Sequence, residues 1–178
     1  ECIGQTVLEQ DCASGRDAHS NDDTEGVAGF SFTKLNSAGR ELAAGANNWQ
    51  CVRDEVTGLV WQVKTASDDT TGTQGLHDPD DQFSWYSTQE DLNGGFMGYE
   101  NVTQNCSDYD EANADQFCNT EAYVKRANEA AICGFTDWRL PSREELESLI
   151  DLSDGAPLID LQYFTNTQAM EHWSSTPT

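Results

Sequence analysis

The sequence predicts an α+β module that is irregular and loop-rich, with two helices packed on a small antiparallel β-core and disulfides stapling the whole. Three observations lead there. Strand-like alternation is confined to short runs, two amphipathic helical stretches follow late in the chain, and six cysteines are spread along the length in an even set. The 178 residues suffice for one domain with its own core. Hydrophobic residues make up 37 % and include seven Phe, five Tyr and five Trp, so the chain should fold despite its charge.

Residues 1–48 form a lead-in rich in Gly, Ser, Asn and Asp. Within it GFSFTKL reads as a short strand with Phe30, Phe32 and Leu35 on its inner side. The domain proper, 49–178, opens with WQCVRDEVTGLVWQVKT. There Leu59, Trp61 and Val63 alternate with Val60, Gln62 and Lys64, and Asp54 to Gly58 supply the turn of a hairpin.

An acidic insertion occupies about 65–120. From Thr65 to Val124 there are thirteen Asp and Glu and no Lys or Arg, with Gly at 72, 75, 94, 95 and 98. A stretch of this kind is functional or tied down. FSWYS, 83–87, is a short strand candidate inside it.

Two helices come next. TEAYVKRANEAAICG places Tyr123, Ala127 and Ala130 or Ala131 on one face, with Thr120 as N-cap and a stop at Gly134. LPSREELESLIDL has Ser142 as N-cap, Glu145 as its capping-box partner, and Leu146, Leu149 and Ile150 on one stripe. Tyr163 and Phe164 form a short apolar segment near the end, and Trp173-Ser-Ser-Thr reads as a strand start.

Cys2, Cys12, Cys51, Cys106, Cys118 and Cys133 contain no C-x-x-C pair and no zinc spacing, so disulfides are expected. Six cysteines allow 15 connectivities, and sequence alone does not choose among them. The expectation is Cys2 with Cys12 and Cys106 with Cys118 as local staples, and Cys51 with Cys133 as a long-range clamp. Such bridges persist in an oxidising compartment, which places the protein at the cell surface or outside the cell.

Thirty-two acidic against nine basic residues give a formal charge of -23. That charge is tolerated where salt screens it, as in a marine or halophilic setting. Nucleic acid is not an expected partner, since phosphate binding needs clustered Lys and Arg. Anionic membranes are not expected partners for the same reason, no run of about eighteen apolar residues is present to span a bilayer, and the first residues lack an export signal's basic and apolar parts, so any such signal is expected to have been removed already.

The ordered motifs are informative together. WQCVRDEVTGLVWQVKT, GLHD at 75–78, FSWY at 83–86, CGFTDWRLPSREELESLID at 133–151, then IDLQYFTNT and HWSST resemble, in order, the C-terminal domain family of the Legionella collagen-like protein. DCASGRDAHSNDD at the start is similar to the lead-in of many members. The resemblance implies an exported bacterial protein with a C-type-lectin-like fold related to the formylglycine-generating enzyme, acting as an adhesin on sulfated polysaccharides. It also implies further strands beyond WSST, so the chain looks truncated at Thr178. Sulfated glycans need basic partners, and the nine Lys and Arg here are too dispersed to promise a patch.

Candidate sites follow from residue chemistry. Trp85 and Tyr86, with His77 and Asp78 in the GLHD loop, are the ligand-binding candidates, while Trp49, Trp61 and Trp173 are expected in the core. Calcium, which takes six to eight oxygen ligands, is a candidate cofactor at Asp78, Asp80 and Asp81 or at Asp108 and Asp110. In DWRLP, Asp137, Trp138 and Arg139 are expected to be structural: Trp138 fills the core and Arg139 bonds loop carbonyls or Asp137. No nucleophile elbow, HExxH or phosphate loop accompanies the three histidines, so an enzyme is not expected. The expected function is extracellular recognition or adhesion, binding a surface glycan or protein. The alternative is a structural subunit of a filament or surface layer, a homo-oligomer completed by its neighbour.

Overall fold

A computed structural model describes residues 29–152 and 155–177. Strand β1, Phe32–Leu35, pairs antiparallel with β2, Cys51–Asp54, which pairs antiparallel with β3, Val60–Gln62. The sheet order β1-β2-β3 puts the Cys51 strand in the middle. Helix α1 is Thr120–Glu129 and α2 is Arg143–Glu147. The mixed, loop-rich α+β architecture predicted above is present, with the acidic insertion lying between β3 and α1.

The β2–β3 hairpin is closed by Asp54, which is almost wholly buried. Its carboxylate accepts from the Val56 amide at 2.9 Å and the Thr57 hydroxyl at 2.8 Å, while its own carbonyl accepts from Gly58 at 2.8 Å. An aspartate bonded to the backbone two residues on is what turns the chain here. Alternate residues then face opposite sides of the sheet. Phe30, Phe32 and Val52 pack with Val63, Leu149, Tyr163 and Phe164 on one side, and Leu35 and Cys51 pack with Ala127, Ile132 and Cys133 on the other. Leu35 therefore does not share the inner side expected with Phe30 and Phe32. An odd-numbered residue cannot join two even-numbered ones on a pleated strand.

The clamp between Cys51 and Cys133 is formed, across a sequence separation of 82, as is the staple between Cys106 and Cys118. Cys2 and Cys12, expected to pair with each other, lie outside the described residues. Helix α1 is capped by Asn119, whose side chain accepts from Ala122 at 2.8 Å, and not by Thr120. Thr120 is instead drawn to Tyr86, as described below. The helix stops at Glu129, short of Gly134, because Ala131 takes a left-handed φ of 48°, and Cys133, also left-handed, is turned back toward β2. Gly39 lies against this turn. A β-carbon there would stand 2.5 Å from the Cys133 carbonyl oxygen.

The capping box of α2 is complete: Glu145 N donates to the Ser142 hydroxyl at 3.2 Å and Ser142 N donates to the Glu145 carboxylate at 2.8 Å. The helix is only five residues long. Of the expected stripe, Leu149 is buried but Ile150 is exposed, since the helix ends before it can present that residue to the core. FSWYS makes isolated bridges and no strand, and Trp173-Ser-Ser-Thr is not a strand either. Trp49 and Trp61 pack on the first core as expected, whereas Trp173 is exposed.

Candidate functional site

The middle of the acidic insertion is a platform built from backbone hydrogen bonds. Ser84 N donates to the Cys118 carbonyl and Thr120 N to the Ser84 carbonyl, at 2.9 and 3.0 Å. The Thr120 hydroxyl and Tyr86 backbone then bond both ways, at 2.8 and 3.0 Å. Thr88 N and its hydroxyl donate to the Glu121 carboxylate at 2.6 to 3.0 Å. Residues 84–88 are thus laid across the N-terminal turn of α1, beside the Cys106–Cys118 staple.

From this base the chain leaves and returns as a hairpin. Ser87 N donates to the Met97 carbonyl and Tyr99 N to the Trp85 carbonyl, both at 2.9 Å, bridging Tyr86 to Gly98. Gly98 has φ 83°, and a β-carbon there would stand 2.2 Å from the Trp85 oxygen, so the close approach requires glycine. Buried Asn93 fixes the tip, accepting from Gly95 at 2.9 Å and donating to the Ser87 carbonyl at 3.3 Å.

The return arm presents its apolar side chains to solvent. Phe96 is 60 % exposed, Met97 52 %, Tyr99 60 % and Val102 66 %. The Phe96 and Tyr99 rings touch edge to face, with centroids 5.7 Å apart and planes at 83°. Beside this ridge lies an open cleft whose walls include Tyr86, Glu100, Asn119, Glu121 and Lys125. The cleft's one lysine is already ion-paired to Asp115. Burial first, and then the carboxylates of Glu100 and Glu121, push the Tyr86 hydroxyl above its ordinary range, so it stays protonated.

Of the sequence candidates, Trp85 and Tyr86 form the base of this hairpin, both half-buried. His77 and Asp78 are not among the residues lining the cleft. His77 Nδ1 donates to the Val63 carbonyl at 2.8 Å, and burial lowers its pKa, with nearby Lys64 adding to the effect. Asp78 is buried and accepts from the amides of Thr73, Gln74 and Asp80 at 2.9 to 3.1 Å. The neighbouring acids do similar work. Asp80 accepts from the Ser67 hydroxyl and Asp68 amide, and Asp81 bonds the amides of Gly72 and Ser107, both at 2.8 Å. Asp108 is exposed and Asp110 accepts from Ala112 N at 2.9 Å. Among the described residues no three His, Cys, Asp or Glu side chains gather as a metal site. The carboxylates of the insertion stitch loop to loop, which is how so acidic a segment holds its course without a core of its own.

In DWRLP, half-buried Trp138 packs against the second core and donates to the Ile132 carbonyl at 3.1 Å. Arg139 pairs with Glu145 through two nitrogens, at 2.7 and 2.6 Å, and also reaches the Leu140 carbonyl at 3.2 Å. Its acidic partner is Glu145, one turn into α2, and exposed Asp137 is left to solvent. The fork suits two carboxylate oxygens, and Glu145 is held in place by the capping box.

Phe96, Met97, Tyr99, Val102, Glu100 and Glu121 were not singled out from sequence. The available signal was GGFMGYENV, an apolar run between glycines without the alternation that buries one face.

The fold and the platform together define a disulfide-stapled, loop-rich α+β module that displays an apolar ridge on an acidic surface. The model of the Lcl C-terminal domain family matches residues 50–178, most of the chain, and the protein belongs to that family. No curated protein and no solved structure matches it. Strand β1, with Phe30 and Phe32 in the first core, lies ahead of the matched span, so the folded unit begins earlier than the family boundary. No helix among the described residues is long and apolar enough to cross a membrane.

Proposed function

We propose that this protein is an exported bacterial recognition module, of the C-type-lectin-like kind, that attaches to a partner at a surface through the hairpin at 84–102 and acts by binding, not by catalysis. The observation carrying this is the exposure of Phe96, Met97, Tyr99 and Val102 on a hairpin whose arms are tied by the Ser87–Met97 and Tyr99–Trp85 backbone bonds. Exposed apolar patches mark interaction surfaces when their support is ordered. Membership of the Lcl C-terminal domain family and two disulfides support an extracellular setting.

The test is an adhesion assay with beads carrying the purified protein or its Phe96→Ser, Tyr99→Ser variant, on cells and on surface extracts. Adhesion by the parent and loss by the variant is expected. Equal adhesion by both would reject the hairpin as the contact surface. Calcium and chelator should give the same result at the Asp78, Asp80 and Asp81 loop, where backbone amides already occupy the carboxylates.

A second patch favours the structural alternative. Asp151 N bonds the Leu158 carbonyl at 3.0 Å, bringing the exposed side chains of Ile150, Leu152 and Leu158 into one region. In a filament or surface layer this region would face the neighbouring subunit. Sizing in high salt separates the two, a monodisperse monomer counting against assembly.

A further inference from the structure

We propose that the ridge at Phe96 to Val102 and the Tyr86 cleft together dock a basic protein surface, whose apolar socket receives Phe96 and Tyr99 while a Lys or Arg side chain enters the cleft. This rests on the hairpin being the contact surface and adds the class of partner.

Three kinds of occupant compete for an exposed apolar ridge, and the observations separate them. A second copy of this chain would set Glu90, Asp91, Glu100 and Glu121 against like charges at the contact itself, where a basic partner offers opposite ones. A glycan would stack pyranose rings on aromatic faces. The Phe96 and Tyr99 planes, however, stand at 83° with one ring's edge against the other's face, which denies a shared flat platform to successive sugars. Met97 and Val102 supply no hydrogen-bonding side chain for sugar hydroxyls. Phe, Met and Tyr exposed together are the side chains that anchor protein interfaces, where they fill apolar sockets.

Charge then selects the partner. Glu90, Asp91, Glu100 and Glu121 belong to the hairpin and its base, and no Lys or Arg occurs from Thr65 to Val124. Lys125 is occupied by Asp115. Tyr86 and Glu100 line the cleft together with Glu121, which Thr88 holds in place. An aromatic ring with adjacent carboxylates attracts an ammonium or guanidinium group. A partner with Lys or Arg around an apolar socket complements both halves of the surface.

A random peptide library displayed on phage, panned on the intact protein at moderate salt, tests this. Selected peptides are synthesised and titrated against the parent, the Phe96→Ser, Tyr99→Ser variant and Glu100→Gln, with a glycan array run on the same three proteins. The expected peptides combine apolar residues with Lys or Arg. They bind the ridge variant at least roughly tenfold more weakly, as loss of a central aromatic anchor does. They bind Glu100→Gln several-fold more weakly, and added salt weakens binding to the parent more than to Glu100→Gln. Peptides without basic residues, or equal affinity for parent and variants, would overturn the proposal. Glycan binding that disappears in the ridge variant would overturn it too while leaving the hairpin as the recognition surface. Absence of any peptide or glycan dependent on the ridge would remove both readings together.

Discussion

Trp85 and Trp173 tie their two segments together at the base of the hairpin by reciprocal bonds to backbone: the Trp85 indole donates to the Ser174 carbonyl at 3.0 Å, and the Trp173 indole donates to the Phe83 carbonyl at 2.7 Å. The segment after Trp173 then continues to α2, where Ser175 N bonds the Pro141 carbonyl and Arg143 N the Thr176 hydroxyl. One short stretch near the C-terminal end thereby joins the acidic insertion to the second helix. Trp173→Phe keeps a ring and removes the donor. It should cost about 1 kcal/mol in urea denaturation and raise amide exchange at residues 83 to 99 above that of the β-sheet. Unchanged exchange in the hairpin would show that the reciprocal bond does not restrain it.

Asp78→Ala tests the idea that carboxylates fold the insertion. Three backbone amides lose a charged acceptor in a buried site, so stability should fall by about 2 to 3 kcal/mol, with new protease cleavage between residues 65 and 82. Asp110→Ala, at an exposed position with one backbone bond, should change stability by no more than about 1 kcal/mol.

The clamp closes a separation of 82 residues, and removing it by Cys51→Ala with Cys133→Ala should destabilise by roughly 4 kcal/mol. Cys106→Ala with Cys118→Ala removes a bridge that closes a separation of only 12 and should cost roughly 3 kcal/mol. Its effect should also be more local, weakening the bonds of Ser84 to the Cys118 carbonyl. Denaturation of the two pairs, with exchange mapping, measures both.

Acid should destabilise the fold in two windows. The His77 pKa lies below its ordinary 6.5, so the unfolded chain takes up a proton first and stability declines as pH falls below about 6.5. The Arg139 side chain, bonded to Glu145, holds that carboxyl down at about 2 from an ordinary 4.5. Its contribution is complete above 4.5 and disappears between 4.5 and about 2. Melting temperature followed against pH should therefore fall less through the upper window in His77→Gln, and less through the lower one in Glu145→Gln, where Glu55, Asp68 and Glu144 are held down as well. A variant whose pH profile is unchanged from the parent's would show that the group substituted does not contribute to its window.

Much of the frame was legible because it rests on local chemistry. Ser142 and Glu145 are a capping box whether or not the rest of the chain is known, and Asp54 ahead of Thr57-Gly58 writes a turn. The Cys51 to Cys133 bridge was expected from two cysteines that flank a hairpin and a helix, and the structure selects it from the connectivities that the sequence left open. Less legible was anything decided across long separations. The Asn119 cap depended on Thr120 being engaged by Tyr86, 34 residues away. Trp173 lies outside the core, its indole nitrogen bonded to the Phe83 carbonyl 90 residues away, a pairing the sequence does not signal. Asp78, Asp80 and Asp81 look like a cation site in sequence, and only the loop path shows which amides reach them. The ridge was missed for a related reason: an apolar run reads as core until the partners that would bury it prove to be absent among the described residues.

The central claim is that Phe96 and Tyr99 serve contact with a partner and not the stability of the fold. Thermal unfolding of the Phe96→Ser, Tyr99→Ser variant, alongside Phe32→Ala from the first core, tests it most directly. The account predicts that the ridge variant melts within about 2 °C of the parent while Phe32→Ala, losing a buried ring worth about 3 to 5 kcal/mol, melts far lower. A ridge variant that melts as low as Phe32→Ala would mean that these rings are packed in the protein as it exists in solution, and would contradict the account.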